Sequence, residues 1–385
     1  MKVAILGLGT VGQGVYEMLS AAPGFEVGKV LVRPGKEDAP YKTSDLDAIL
    51  SDPSIDAVAE VMGGVEPAFS YLSAAIKAGK HAVTSNKALV AAKGIELQAL
   101  ADENGVGFLF SAACGGAVPF LHNLSLAVES DEILSLGGIL NGTTNYMLDM
   151  MQSTGMDYAD ALLDAQNLGY AEKDPTADVS GLDALRKIML ACAVAFGSLP
   201  AEGLLNEGIE SITAADVKDL QSRGLTCRLV VSGGPNKDGS VYAYVEPVLF
   251  PSSAPECSVK KNFNMAKYLG KNSGQIVMMG QGAGRYPTAS AVMRDLSDLK
   301  RGCRAMLPAG ARTVTADNSQ CEHKYYVRTD SDSADLFSGL CDGYESAASG
   351  TVIITHPLSV AEMHSIAKEI RATGRSIFFA CLTNP

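Results

Sequence analysis

The hexapeptide Gly7-Leu8-Gly9-Thr10-Val11-Gly12 directly follows the apolar run Val3 to Leu6. It opens a helical pattern, Val11 to Leu19, and a second apolar run follows at Val27 to Val32. Strand, glycine turn, helix and strand in that order form a βαβ opening. In such a unit Gly7 permits the tight turn, Gly9 lets the backbone approach a pyrophosphate, and Gly12 lets helix and strand pack closely. The phosphate then sits at the helix N-terminus, which Thr10 and Val11 begin. A plain glycine turn is the alternative, but all three elements fall where a dinucleotide-binding loop needs them.

The second strand ends near Val32, where a site for NAD would offer Asp or Glu to the ribose hydroxyls. This chain places Arg33, Pro34, Gly35 and Lys36 there. Two cations with no adjacent acid suit a 2′-phosphate, so NADP (as NADPH) is the expected cofactor, with NAD second. The rival reading of Arg33 is a solvated loop charge.

Short apolar runs go on alternating with helical patterns: a strand at Ile55 to Val61, a helix at Pro67 to Ala78 and a strand at His81 to Thr84. A helix at Ile95 to Asn104 and a strand at Gly107 to Phe110 follow. Such alternation predicts an α/β class with a Rossmann-type parallel sheet covered by helices. Beyond about residue 135 the pattern becomes α+β, with a strand at Ile133 to Leu140 and helices within 142–196. Strands near Leu229 to Val231 and Val241 to Val248 flank a hairpin loop at 233–239. From 322 a third segment reads as strands at Tyr325 to Arg328, Val352 to Thr355 and Ile377 to Cys381, with a helix at Ala361 to Arg371. The expected domains are 1–135 completed by 285–312, then 136–284, then 322–385.

At 385 residues and 47% hydrophobic, the chain can bury more than one core. A net charge of −12 without a dense basic run argues against nucleic acid or an anionic membrane as partner. The eight cysteines form no Cys-x-x-Cys pair and no apolar stretch would span a bilayer, so a soluble cytoplasmic protein with a small-molecule substrate is expected. The five histidines show no triad or metal spacing and read as structural or surface groups.

Chemistry concentrates in three places. Thr84-Ser85-Asn86-Lys87-Ala88 stands at the carboxyl end of a predicted strand, where open α/β sheets bind ligands. Lys87 there either meets a substrate carbonyl or merely begins a helix. Asn141-Gly142-Thr143-Thr144-Asn145-Tyr146 precedes the segment from Gly169 through Tyr170, Glu172, Asp178, Ser180 and Asp183 to Lys187. Ser180 reads as an N-cap with Asp183 as its capping-box partner, predicting a helix from Gly181 to about Phe196. Asp183 and Lys187 share a face of that helix, which becomes apolar at Leu190, Ala191 and Val194. A half-buried Asp–Lys pair follows and reads as a site candidate; the rival reading is that Asp183 caps the helix and Lys187 pairs with it at the surface.

The stretch from Gly169 to Lys187, with Asn141 to Tyr146 before it, resembles the signature region of the homoserine dehydrogenase family. Gly280-Gln281-Gly282-Ala283-Gly284-Arg285-Tyr286-Pro287 resembles the segment by which that family returns to its nucleotide domain, and the likeness is nearly continuous to about residue 310. It implies hydride transfer between a nicotinamide dinucleotide and aspartate semialdehyde, in threonine, methionine and isoleucine biosynthesis. By the same resemblance Glu172, Asp178 and Asp183 bind the substrate's amino end, joined by Thr143, Gly169 and Tyr170. Lys187 is the proton donor, and Lys87 lies by the nicotinamide. Gly64, Ser85 and Gly284 complete the expected cofactor contacts. The carboxylates and lysines agree with the chemistry, since an amino-acid aldehyde needs acids for its ammonium and a cation for the oxygen that gains charge.

The chain departs from the family at Ser111, where a glutamate usually opens a loop binding a sodium ion. The backbone carbonyls of Cys114, Gly116 and Val118 remain, so a weaker or absent cation site is expected. The tail from 322 resembles a regulatory ACT module short of a full βαββαβ set, implying feedback by an amino acid such as threonine. The strands near 229–248 are expected to form a shared sheet in a homodimer or homotetramer. Two other readings stand: another nicotinamide dehydrogenase on this fold, which leaves the Glu172–Asp178–Asp183–Lys187 spacing unexplained, and a nucleotide-binding regulator without chemistry.

Overall fold

The computed structural model describes residues 1–347 and 349–383. Its first region runs β1 (Lys2–Leu6), α1 (Thr10–Ala21), β2 (Glu26–Leu31), β3 (Lys42–Thr43), α2 (Asp47–Leu50), β4 (Ala57–Glu60), α3 (Ala68–Lys77), β5 (His81–Thr84), α4 (Lys87–Glu103) and β6 (Phe108–Leu109). The six strands form one parallel sheet in the order β3-β2-β1-β4-β5-β6. Helices cover both faces, so β1 and β4 read as continuous apolar runs and bury almost every side chain. The predicted helix at Ile95 to Asn104 actually begins at Lys87, because Asn86 caps it by accepting the Leu89 amide at 3.1 Å.

The chain continues through α5 (Phe120–Ala127), β7 (Ile133–Ile139), α6 (Gly142–Thr154), α7 (Tyr158–Asn167), α8 (Thr176–Val179) and α9 (Leu182–Phe196). Then come β8 (Ser198–Glu202), β9 (Leu205–Asn206), α10 (Ala214–Ser222), β10 (Leu225–Pro235), β11 (Val241–Pro251), β12 (Phe263–Gly270), β13 (Gly274–Gln281), α11 (Arg285–Lys300) and β14 (Arg312–Thr315). Helix α11 packs on α1, and Phe108 of β6 donates to the Arg304 carbonyl, so the chain does return to the parallel sheet. The last region holds β15 (Glu322–Thr329), β16 (Cys341–Ala347), β17 (Gly350–Thr355), β18 (Leu358–Ser359), α12 (Val360–Ala372) and β19 (Ile377–Leu382). Its four long strands lie in the order β19-β15-β17-β16, and only the first helix of a βαββαβ set is reduced, to a 3₁₀ turn at Ala334–Phe337. Two strands of this region were missed from sequence: β16 is largely exposed and polar, and β18 is only two residues long.

The second and third regions share one sheet, β13-β12-β7-β10-β11-β19-β15-β17-β16, with β9 added to β11 and β18 to β15. Parallel pairing of β11 with β19 joins them. This corrects the expectation for residues 229–248: β10 lies between β7 and β11, and β11 between β10 and β19, so the chain itself takes up their hydrogen-bonding edges. The path ends instead at β13 and β16. Helix α9 is buried over nearly its whole length and crosses this sheet, with Ile188 and Cys192 seated against Gly233. No helix among the described residues is long and apolar enough to cross a membrane.

Candidate active site

The glycine turn is built by backbone and space alone. Gly7 has φ +102°, a left-handed value that favours glycine, and a Cβ on Gly12 would run into the Gly7 carbonyl. Around Gly9 the space is open, with no atom within 4 Å of where a Cβ would stand. No side chain caps α1, so its first amides remain available to an anion. These features fit a dinucleotide pyrophosphate. Arg33 and Lys36 are both exposed after β2. The nearest following acids are engaged elsewhere: Asp38 pairs with Lys42, and a hydrogen bond with Ser44 holds the Glu37 carboxyl below its usual range.

A second polar cluster connects this loop to Lys87. The Asn86 amide donates to the Gly64 carbonyl at 2.6 Å, while the Asn86 backbone donates to Thr84 Oγ1 at 2.9 Å. Thr84 in turn donates to the fully buried Glu60 at 2.5 Å, and Ser85 N donates to the Glu60 carbonyl. Burial pushes the Glu60 acid up despite these bonds. Gly64, Ser85 and Lys87 are thereby brought to one rim of the sheet. Sequence reading missed Glu60 and, though it singled out the 84–88 segment, gave Thr84 and Asn86 no part of their own; a polar side chain at the carboxyl end of the apolar strand β4 was the available signal for Glu60.

Lys87 reaches from α4 to Asp183 on α9, Nζ to Oδ1 at 2.7 Å, and Lys187 holds the other carboxylate oxygen at 2.7 Å. Lys187 also donates to the Leu140 carbonyl at 2.5 Å. The side chains of Lys187, Asp183 and Lys87 are 9%, 18% and 25% exposed, so the site deepens toward Lys187. Burial opposes ionisation of both Asp183 and Lys187, but their mutual charge outweighs it: the acid lies well below the usual carboxylate range and Lys187 above an ordinary lysine. The predicted capping box does not form. Gly181, at φ +83°, precedes α9 without a side-chain cap, because the Asp183 carboxylate is committed to the lysines.

Asn141 is the hub that sequence reading left among its neighbours. Its amide donates to Asp178 at 2.7 Å and to Asp183 at 2.9 Å, while its oxygen caps α6 at the Thr144 amide. Burial raises the Asp178 acid against that hydrogen bond. Thr143 donates to the Tyr170 carbonyl at 2.7 Å, drawing the 169–172 turn toward Asp178; Gly169 in that turn has φ +73°. Glu172 is exposed and forms no ion pair among the described residues. Gly284 precedes α11 at φ +125°, and its neighbour Arg285 bonds Gln13 and Glu17 of α1. Gly284 therefore stands beside the glycine turn.

The loop Ser111 to Pro119 runs beneath Lys187, with Cys114 Sγ 4.0 Å from the Lys187 carbonyl. Ser111 bonds the buried Asp295 of α11, whose carboxyl burial pushes up to about 7. The Val118 carbonyl accepts from Phe120, those of Cys114 and Gly116 accept nothing among the described residues, and Arg294 lies 3.4 Å from the Ala117 carbonyl. The Ser111 hydroxyl is committed to Asp295, so it adds no charge beside the carbonyls of Cys114, Gly116 and Val118.

Two family models match the chain: "Homoserine dehydrogenase, NAD binding domain" over residues 7–111 and "Homoserine dehydrogenase" over residues 119–297. A homoserine dehydrogenase of Synechocystis sp. is 40% identical over 351 residues, covering 85% of this chain and 79% of the relative. The crystal structure of a homoserine dehydrogenase from Thiobacillus denitrificans is similar over 100% of this chain and 98% of that one, with a TM-score of 0.87 and 29% identity. A hyperthermophilic archaeal homoserine dehydrogenase in complex with NADPH matches 78% of this chain and 97% of its own, with a TM-score of 0.67 and 25% identity.

Proposed function

The chain belongs to the homoserine dehydrogenase family, an NAD(P)-dependent oxidoreductase acting on a CH–OH group, and we propose that it reduces L-aspartate 4-semialdehyde to L-homoserine with NADPH and Lys187 as proton donor. The observation that carries this reading is the sharing of Asp183 by two lysines beside Asp178. A bound nicotinamide dinucleotide supplies the hydride.

The chain's own residues divide the rest of the work. Asp178, Asp183 and Glu172 offer acids to the substrate ammonium. Asp178 is the acid that burial leaves least satisfied, so an incoming ammonium gains most there. Lys187 carries three N–H groups, of which Asp183 and the Leu140 carbonyl take two. The third is free for the aldehyde oxygen as negative charge develops on it, and transfer of that proton completes the alcohol. Lys87 is more exposed and tied through Asn86 to Gly64; it steadies the oxygen and the nicotinamide rim. Arg33 favours a 2′-phosphate because no acid stands beside it to claim a free ribose hydroxyl. No step runs through a cation.

The test is the loss of NADPH absorbance with aspartate semialdehyde, repeated with NADH. Turnover with a preference for NADPH is expected. No turnover by a folded, NADPH-binding protein would refute the substrate, and a preference for NADH would refute the role of Arg33.

A further inference from the structure

Behind Asp178 lies a contact with the last region of the chain that the chemistry above does not use. Asp178 is the third residue of α8, a four-residue turn whose final carbonyls have no partner within the helix. Those carbonyls are met from outside: Ile209 N donates to Val179 O at 2.9 Å, and Asn206 Nδ2 donates to Ser180 O at 2.7 Å. Gly208 between them lies so close to the Val179 carbonyl that any Cβ there would collide with it. The segment from Asn206 to Ile209 is thus a backing strip for the turn that carries Asp178.

Two things place that strip. Glu207 N donates to the Val245 carbonyl at 2.7 Å, extending the pairing of β9 with β11. Because successive side chains alternate along an extended segment, Glu207 points away from the Asn206 amide that holds Ser180. The Glu207 side chain is 6% exposed, and its carboxylate is gripped by Arg371 of α12, Nη1 to Oε2 at 2.9 Å and Nη2 to Oε1 at 2.5 Å. Burial pushes the Glu207 acid up, and Arg371 opposes that. Two turns earlier on the same helix, His364 meets the buried Glu246 of β11 at 2.9 Å. Helix α12 is therefore anchored to the strip and to the strand that carries it.

We propose that Arg371 is a positioning residue for substrate binding, acting through Glu207 and the 206–209 strip to hold Asp178 at the depth where it meets the substrate ammonium. Loss of Arg371 leaves Glu207 buried without its charge partner, and a bidentate pair broken on one side is costly. Glu207 relieves that cost by turning toward water, which pulls the strip from Val179 and Ser180. The strip bonds Val179 and Ser180, the residues just after Asp178 and before α9, whereas the reacting lysines are held by Asp183 and the Leu140 carbonyl, so the first effect falls on Asp178. The proposal rests on the reading of Asp178 as a substrate acid.

Steady-state kinetics of Arg371→Ala should show the KM for aspartate semialdehyde raised about tenfold, with kcat and the KM for NADPH within about twofold of the parent. Arg371→Lys, which keeps the charge but loses the fork, should recover part of the loss. An unchanged substrate KM in a folded Arg371→Ala protein, or a fall confined to kcat, would overturn the proposal. If Arg371→Ala does not fold, amide hydrogen exchange at Ile209 in Arg371→Lys decides: faster exchange supports the coupling and unchanged exchange refutes it. Asp178→Asn separates the two layers. If it leaves the substrate KM unchanged, the role of Asp178 fails, while accelerated exchange at Ile209 in the Arg371 variant would still show the strip to be held by Arg371.

Discussion

The glycine turn at residues 7–12 and the acid–lysine cluster around Asp183 sit in the same molecule but are built on opposite principles. The turn contains no charge; its function comes from what is missing, a Cβ at Gly12, any neighbour at Gly9, any cap on α1. The cluster is dense in buried charge, and its parts come from α4, α9 and the start of α6. A site made of absent atoms tolerates almost no addition. A site made of mutually compensating charges tolerates almost no removal, because each loss leaves a partner buried and unpaired. The difference predicts where substitutions hurt and by what route.

The largest effect on that contrast is expected at Asp183. Asp183→Asn should lower kcat/KM by about a thousandfold and also move the alkaline limb of the pH–rate profile to lower pH. The sign follows from the cluster. Burial lowers the Lys187 pKa and Asp183 more than restores it, so without the acid only burial remains and the lysine loses its proton earlier. For stability, the contribution of Lys187 is fully present below the ordinary lysine range and fades as pH rises through its raised folded value. That of Asp183 is present above the ordinary carboxylate range and fades as pH falls through its depressed one. An alkaline limb that stays put in Asp183→Asn would break the account of mutual compensation.

Gly12→Ala should weaken NADPH binding by about a hundredfold, measured by fluorescence titration, because the methyl meets the Gly7 carbonyl and must displace the turn. Retained affinity would show that the turn is not the pyrophosphate seat. Arg33→Ala should cut the preference for NADPH over NADH by about tenfold in kcat/KM, with kcat unmoved. The smallest effect sharpens the comparison most: Gly9→Ala should leave the thermal unfolding midpoint within about a degree of the parent, since nothing crowds that position, while still impairing NADPH binding. A large loss of stability there would mean that Gly9 serves the fold rather than the ligand.

The two regions also differ in how far they could be read from the chain alone. The turn is local: strand, glycines and helix succeed one another within twenty residues, and each glycine's role follows from its neighbours. Of the cluster, the Asp183–Lys187 pair was legible because four residues span one helical turn. The Lys87–Asp183 pair was not, since only packing of α4 against α9 brings it together. Ser180 looked like an N-cap because the spacing to Asp183 was right, but the lysines won the carboxylate. Strands β12 and β13 carry no alternation of polar and apolar residues strong enough to announce them, with Val277 and Met279 left exposed on β13. The contact between Arg371 and Glu207 joins residues 164 apart in sequence, and no local pattern signals it.

In the proposed reaction Lys187, not Lys87, delivers the proton, an assignment open to direct test. It is tested most directly by kcat for the reduction of aspartate semialdehyde in Lys187→Ala and Lys87→Ala, each with its NADPH affinity measured beforehand. A fall of about a thousandfold or more in Lys187→Ala, with NADPH binding intact and a smaller fall in Lys87→Ala, is the predicted result. Substantial turnover by Lys187→Ala with near-total loss in Lys87→Ala would contradict it and transfer the role to the more exposed lysine.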